Sequence, residues 1–264
     1  MSFNKNSYRS HDYKFLLQRW RRVCRMAGLK IEKVAEIDGL PCFEVTSPMI
    51  KEHSAIYLSA GIHGDESGST EGLLAWAESN LDRLNSIPLL IYPCLNPWGL
   101  INNSRWDAKG TDLNRIWENP SNPFIQYIIS RTKNITIQLV ITLHEDFDGQ
   151  GVYLYEPSRN GISDGRADEI ISAATPFITP DPRRKIDGRK AKNGIIRPRP
   201  TNPPKDGMPE ALYFYLTHKC RTFTFETPSE LDLSLRVQAQ SAMIGHALVS
   251  DLKQEKSGQF RKEP

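Results

Sequence analysis

The stretch AIYLSAGIHGDESGS, residues 55–69, decides how this chain is read. Its first half is a short apolar run that meets glycine, the pattern of a buried strand. Its second half sets His63 and Glu66 three residues apart among glycine and serine. Residues 66–79 then follow a helical pattern. Strand, polar turn and helix in that order suit an α/β sheet, where ligands bind beyond the carboxyl ends of the strands. Taken alone, the turn has two readings: a metal site, or a polar turn after a strand.

The same alternation runs along the chain. Residues 12–27 place Phe15, Leu16, Trp20, Val23 and Cys24 at helical spacing, and Gly28 ends the run. KIEKVAEI and PCFEVTS, parted by Asp38-Gly39-Leu40, read as a hairpin. Strands are expected at 89–94, 137–143, 152–156 and 221–226, and helices at 124–131, 165–174, 209–218 and 231–252. This predicts an α/β three-layer sandwich with a largely buried sheet. Pro and Gly are dense between 176 and 209, including RPRPTNPP, which reads as a long ordered loop near a site. No domain boundary stands out. One domain over 1–264 is expected, with an N-terminal helix and hairpin, about 8–48, packed onto it.

Composition narrows the function. The 264 residues are 39% hydrophobic and 25% charged, ordinary for a soluble globular protein, and the formal charge of +3 is too small to imply nucleic acid. The basic clusters RWRR (19–22) and PRRK (182–185) fit solvated faces or an entry funnel for an acidic ligand. No apolar run reaches the length of a membrane span. Cys24, Cys42, Cys94 and Cys220 form no CxxC pair. Reduced thiols and a cytoplasmic location are expected.

Three strand runs each end in a residue fit for metal or proton chemistry. His63 and Glu66 follow the first, His144 the run IQLVITL, and Glu226 the run RTFTF. Two histidines and one carboxylate are a common zinc set in hydrolases, with a position left for water. Gly61 and Gly64 are expected to let His63 and Glu66 turn toward one ion. Glu226, at the end of an apolar strand, is the candidate general base and acid, its pKa raised by low solvation. In LNPWGLINNSRWDAKGTDLNRIW (95–117), Arg105 is placed to hold an oxyanion. Arg115 and Asn114 can bind a carboxylate, and Asp112 can orient a ligating histidine. The alternative for this stretch is a surface loop with paired arginines. His11, His53, His218 and His246 have no partner motif and read as surface or helix residues. Glu145 and Asp146 read either as supports for the site or as loop caps. The arginines at 183, 184, 189, 197 and 199 read as solvated loop charges, with lining of a cleft mouth as the alternative.

HGDE (63–66), NPWG (96–99), Arg105, GTDLNR (110–115), the strand-end His144 and FTFE (223–226) together resemble the zinc carboxypeptidase family typified by carboxypeptidase A. The resemblance covers roughly residues 50–250. The compact spacing is most similar to the short bacterial members, including murein peptide amidases. It implies a mixed, twisted sheet of about eight strands with helices on both faces, and one zinc ion on His63, Glu66 and His144. It implies Arg105 at the scissile carbonyl, Asn114 and Arg115 on the substrate's terminal carboxylate, Glu226 as base and acid, and Asp112 behind a zinc histidine. NPWG departs from the commoner NPDG. Glu145-Asp146 stands where digestive members have Ser-Tyr, which suggests a field suited to a cationic substrate group. The family's substrate-closing tyrosine has no clear match; Tyr213 and Tyr215 fall in the right region but also fit helix packing. The implied activity is hydrolysis of a C-terminal peptide or amide bond in a small peptide. The alternatives are deacylation of acyl amino acids, as in the succinylglutamate desuccinylase/aspartoacylase group, and a non-catalytic carboxylate-binding protein. No nucleic-acid or membrane partner is expected.

Overall fold

The computed structural model describes residues 8–50, 55–158, 163–200 and 204–256. His53 and residues 201–203 of RPRPTNPP lie outside them. The chain opens with helix α1 (Tyr13–Ala27), which Asp12 caps by accepting the Phe15 N–H at 2.9 Å. Gly28 closes it in the left-handed conformation. Strands β1 (Lys30–Ile37) and β2 (Leu40–Thr46) then form the expected antiparallel hairpin.

The centre is built from β3 (Ala55–Ala60), α2 (Ser67–Ser79), β4 (Leu89–Tyr92), the short α3 (Pro97–Asn102), α4 (Pro123–Thr132) and β5 (Ile137–Asp146). Beyond it come β6 (Tyr153–Tyr155), α5 (Arg166–Ala174), β7 (Lys185–Ile186), β8 (Arg189–Lys192) and β9 (Ile195–Ile196). The chain continues with α6 (Glu210–His218), β10 (Arg221–Pro228) and α7 (Leu233–Lys256). The sheet runs β1-β2-β4-β3-β5-β10-β6-β9-β8-β7. Strands β4, β3, β5 and β10 are mutually parallel, and antiparallel pairs flank them.

Among the described residues the sheet has ten strands, two more than expected. The described part of the Pro- and Gly-rich segment after α5 is not simply a loop: β7, β8 and β9 extend the sheet from it. Each is two to four residues long, too short to show a periodic pattern in the sequence. Strands β5 and β10 also run past their predicted ends, because they stay in register through Glu226↔His144 to Pro228↔Asp146.

The alternation of side chains along a strand sorts two cores. Ile56, Leu58, Leu139, Ile141, Leu143, Phe223 and Phe225 face α1, α2, α5 and α7. Tyr57, Leu90, Tyr92 and Val140 face α4 and α6, with Phe124, Ile128 and Phe214 packed on them. His144 lies an even number of residues from Val140, and so shares the face of α4 and α6. Among the described residues no helix is long and apolar enough to cross a membrane.

Candidate active site

The site forms where the parallel strands end. After β3, Gly61 adopts φ 64°, a left-handed turn that favours glycine. Its carbonyl accepts the Asn96 N–H at 2.8 Å, which seats the turn against the segment following β4. Gly64 is needed for a different reason than the one expected. It is not in the left-handed region; it lets two backbones touch. A Cβ there would stand 1.9 Å from the Gly99 carbonyl carbon, and the Gly64 N–H donates to Ser104 O at 2.9 Å. The NPWG turn is a capped helix start. Asn96 accepts the Gly99 N–H at 2.9 Å and Pro97 occupies the first turn, where its missing N–H costs nothing.

His63, Glu66 and His144 converge. Their ligand atoms lie within 4.8 Å of one another, and all three residues are buried. Nδ1 of His63 is 2.6 Å from Glu66 Oε1, and Nδ1 of His144 is 3.0 Å from Oε2. The Glu145 backbone N–H donates to the same Oε2 at 3.1 Å. Burial opposes ionisation of Glu66, but His63 and His144 outweigh it and hold the carboxyl well below the usual range. Burial likewise disfavours the His63 imidazolium. The neighbouring Glu66 and the bond to Asp112 reverse this and raise it to about 9. Both Nδ1 atoms face one carboxylate, and the donors are the nitrogen and oxygen types that zinc and similar ions take. The trio therefore fits a metal ion.

Asp112 stands behind it. Its Oδ1 lies 3.2 Å from His63 Nε2, which commits Nε2 to Asp112 and leaves Nδ1 to face Glu66. Its Oδ2 accepts Arg105 Nε at 3.2 Å and Nη2 at 3.0 Å. Arg105 Nη1 comes within 3.3 Å of His63 Nδ1 and 3.7 Å of Glu66 Oε1, so this guanidinium borders the trio. The Asn114 N–H donates to Asp112 Oδ1 at 2.9 Å, and the Asn114 side-chain oxygen accepts the Glu210 N–H at 2.8 Å. Arg115 Nη1 donates to Asn114 O at 2.9 Å. GTDLNR is thus one turn, tied at one end to His63 and at the other to α6.

Glu226 sits opposite His144 in the parallel register and opposite Tyr153 in the antiparallel one. It remains partly exposed, and its carboxylate has no hydrogen bond to another described residue. Enclosure raises it well above the usual carboxylate range. His144 opposes the rise, while Glu66, Asp146 and Asp187 add to it.

Other expectations resolve by pairing. The Glu145 side chain is buried against Arg236 at 2.6 Å, and Asp146 accepts Tyr153 Oη at 2.9 Å and Arg183 Nη2 at 3.3 Å. Both extra acids are matched by arginine, so neither offers a bare charge to a cation. Arg183 and Arg197 are paired as well, with Asp181 at 2.6 Å and Glu156 at 2.7 Å; Arg184, Arg189 and Arg199 are exposed, as expected. Tyr213 packs on Trp117 and Phe214, and Tyr215 is buried in α6. His11 contacts Leu100 O at 2.8 Å and His246 lies 3.4 Å from Glu169, while His218 stacks on Phe214. Sequence reasoning missed Arg236 and Gln240 of α7. Gln240 Nε2 donates to His144 O at 2.7 Å. Nothing local in the sequence marks either residue.

Known proteins resemble this chain in part of its sequence and in fold. The profile of the succinylglutamate desuccinylase/aspartoacylase catalytic domain matches residues 52–148. Cytosolic carboxypeptidase 1 of Gallus gallus is 30% identical over 135 residues, 47% of this chain, and the match spans only 11% of that relative. A protein provisionally named a metallopeptidase, from Shewanella amazonensis, superposes with a TM-score of 0.80 at 18% identity, covering 91% of this chain and 93% of the other. A metallo-carboxypeptidase from Burkholderia cenocepacia gives a TM-score of 0.68 at 15% identity, covering 92% and 70%. The chain has a zinc carboxypeptidase-type fold.

Proposed function

We propose that the protein is a zinc-dependent hydrolase that cleaves a C-terminal peptide or amide bond of a small carboxylate-bearing peptide. One observation carries the reading. Both histidine Nδ1 atoms face the Glu66 carboxylate, Asp112 fixes the far nitrogen of His63, and Glu226 stands beside His144 with no hydrogen bond to another described residue. When bound, the metal supplies Lewis acidity and an acidified water. Glu226, with a raised pKa, takes the proton from the attacking water and returns it to the leaving nitrogen. Arg105, bordering the trio, stabilises the oxyanion that forms at the carbonyl. Asn114 and Arg115, on the same turn as Asp112, hold the terminal carboxylate of the substrate.

The profile match favours a second reading, hydrolysis of an N-acyl amino acid, over residues 52–148. That stretch ends before Glu226 and so does not bear on the proton carrier. A cytoplasmic location is proposed with either reading. It is supported by four buried, free cysteines and by the name of the Gallus gallus relative.

The test is metal analysis followed by turnover on a panel of dipeptides, γ-glutamyl-diaminopimelate peptides and acyl amino acids. About one equivalent of zinc with release of a C-terminal residue is the expected result. Cleavage of acyl amino acids alone selects the second reading. Metal uptake without turnover on any class would leave a binding protein and remove both.

A further inference from the structure

The metal trio is gripped from behind the sheet by one helix. Arg236 and Gln240 are four residues apart on α7 and therefore share a face. Arg236 Nη1 donates to Glu145 Oε2 at 2.6 Å. The same Oε2 accepts the Gly68 N–H at 2.7 Å, in the first turn of α2, just after Glu66. The other oxygen, Oε1, accepts the Thr227 hydroxyl at 3.0 Å, and Thr227 follows Glu226. Meanwhile the Glu145 backbone N–H reaches Glu66 Oε2 at 3.1 Å. Gln240 Nε2 donates to the His144 carbonyl at 2.7 Å and to Thr227 Oγ1 at 3.2 Å. A carbonyl can only accept, so this bond fixes which end of the Gln240 amide points at His144. Glu145, Thr227 and Gln240 are all fully enclosed, so these bonds exchange little with water.

We propose that Arg236 and Gln240, acting through Glu145, are positioning residues that hold Glu66, His144 and Glu226 at the separation a metal site requires. The inference rests on the metal reading above. Three chain segments that converge at the site (the start of α2, the end of β5 and the end of β10) are tied to two side chains of one helix. Glu145 is thereby more than a loop cap. Its side chain is neutralised and spanned on three sides, which fixes the backbone N–H that orients Glu66. A ligand carboxylate left free to rotate would lose affinity for the ion even with every ligand present.

The test measures zinc affinity of the metal-free protein by competition with a chromogenic chelator. It uses the wild type, Gln240→Met, Arg236→Met, Arg236→Lys and a control, Glu44→Gln. Glu44 is a buried carboxylate on the same sheet, bonded to Tyr92, Tyr127 and Arg131 and to no residue of the site. Gln240→Met and Arg236→Met are expected to weaken zinc binding by about 10–100-fold. Arg236→Lys, which keeps the cation, should restore most of the loss. Glu44→Gln should lower Tm and leave affinity unchanged. Should Arg236→Met fail to fold, Gln240→Met, which nearly conserves volume, carries the test. Variants that bind zinc within about twofold of wild type, or a control that weakens it equally, overturn the proposal. A wild type that takes up no metal is a separate result: it removes the metal reading and this inference with it.

Discussion

The two faces of the parallel strands do different work. On β10, Phe223 and Phe225 face the α1, α2, α5 and α7 side, while Thr222, Thr224 and Glu226 point the other way. On β5, Leu139, Ile141 and Leu143 oppose Val140, Thr142 and His144. One face is apolar as far as Leu143 and Phe225, and beyond them it carries the buried Glu145 and Thr227 that bond to α7. The other turns polar toward the carboxyl ends: Ser59, Thr142 and Thr224 lie in one paired row, and His144 pairs with Glu226 in the row beyond. A period of two lets one strand anchor the core and present candidate site residues at once, provided His144 and Glu226 keep to one parity. Damage to the apolar rows should then read out as lost stability, and damage at the strand-end Glu226 as lost activity.

The largest effect tests that separation directly. Removal of metal by a chelator should abolish turnover, and one equivalent of zinc should restore it, as followed by product release. Next, Glu226→Gln should lower kcat by about 10²–10⁴-fold while the protein still binds one zinc. Undiminished activity would sink the role of Glu226. Three residues away on the opposite face, Phe223→Ala should cost about 3–5 kcal/mol of stability by denaturant unfolding, since this ring is fully buried. The fraction still folded should keep its kcat, and a kcat lowered like that of Glu226→Gln would break the comparison between the faces.

A pH series sharpens it. His63 is raised from 6.5 to about 9, so its pairing with Glu66 stabilises the metal-free protein fully below about pH 6.5. That stabilisation is lost as pH rises through about 9. Zinc uptake displaces the same proton, so affinity should rise over this window. The Tm gap between loaded and metal-free protein should widen from pH 6.5 to 9, and a constant gap would mean that His63 gives up no proton to the metal. The smallest effect is expected from Thr142→Val. It removes the bond from Thr142 Oγ1 to Thr224 Oγ1, 3.0 Å long, at about 1 kcal/mol and without change in metal affinity.

Much of this was legible before any coordinates. The strand–turn–helix alternation, His63, Glu66, His144 and Glu226 all announce themselves locally, because apolar period and turn chemistry are set by neighbours in sequence. Asp112 was legible too, through the GTDLNR string. Less visible was why Gly64 must be glycine. Its constraint is the Gly99 backbone, 35 positions along the chain, rather than its own φ. The three short strands after α5 were hidden among prolines and glycines; β9 pairs with the edge of β6, β8 with β9, and β7 with β8.

The sequence by itself determined the class of fold and named His63, Glu66 and His144 as candidate ligands, since strand ends and turns depend on contacts a few positions long; that the three meet was decided across 78 positions. Only the tertiary structure decided the pairing of charges. Glu145 and Asp146 read from the sequence as supports for the site or as loop caps, and which arginine each meets was not legible: Arg236 comes from 91 positions away and Arg183 from 37. Gln240 reaches the His144 carbonyl across 96 positions. Such bonds form because a buried polar group must find a partner wherever the fold supplies one, and the chain carries no local mark of where that is.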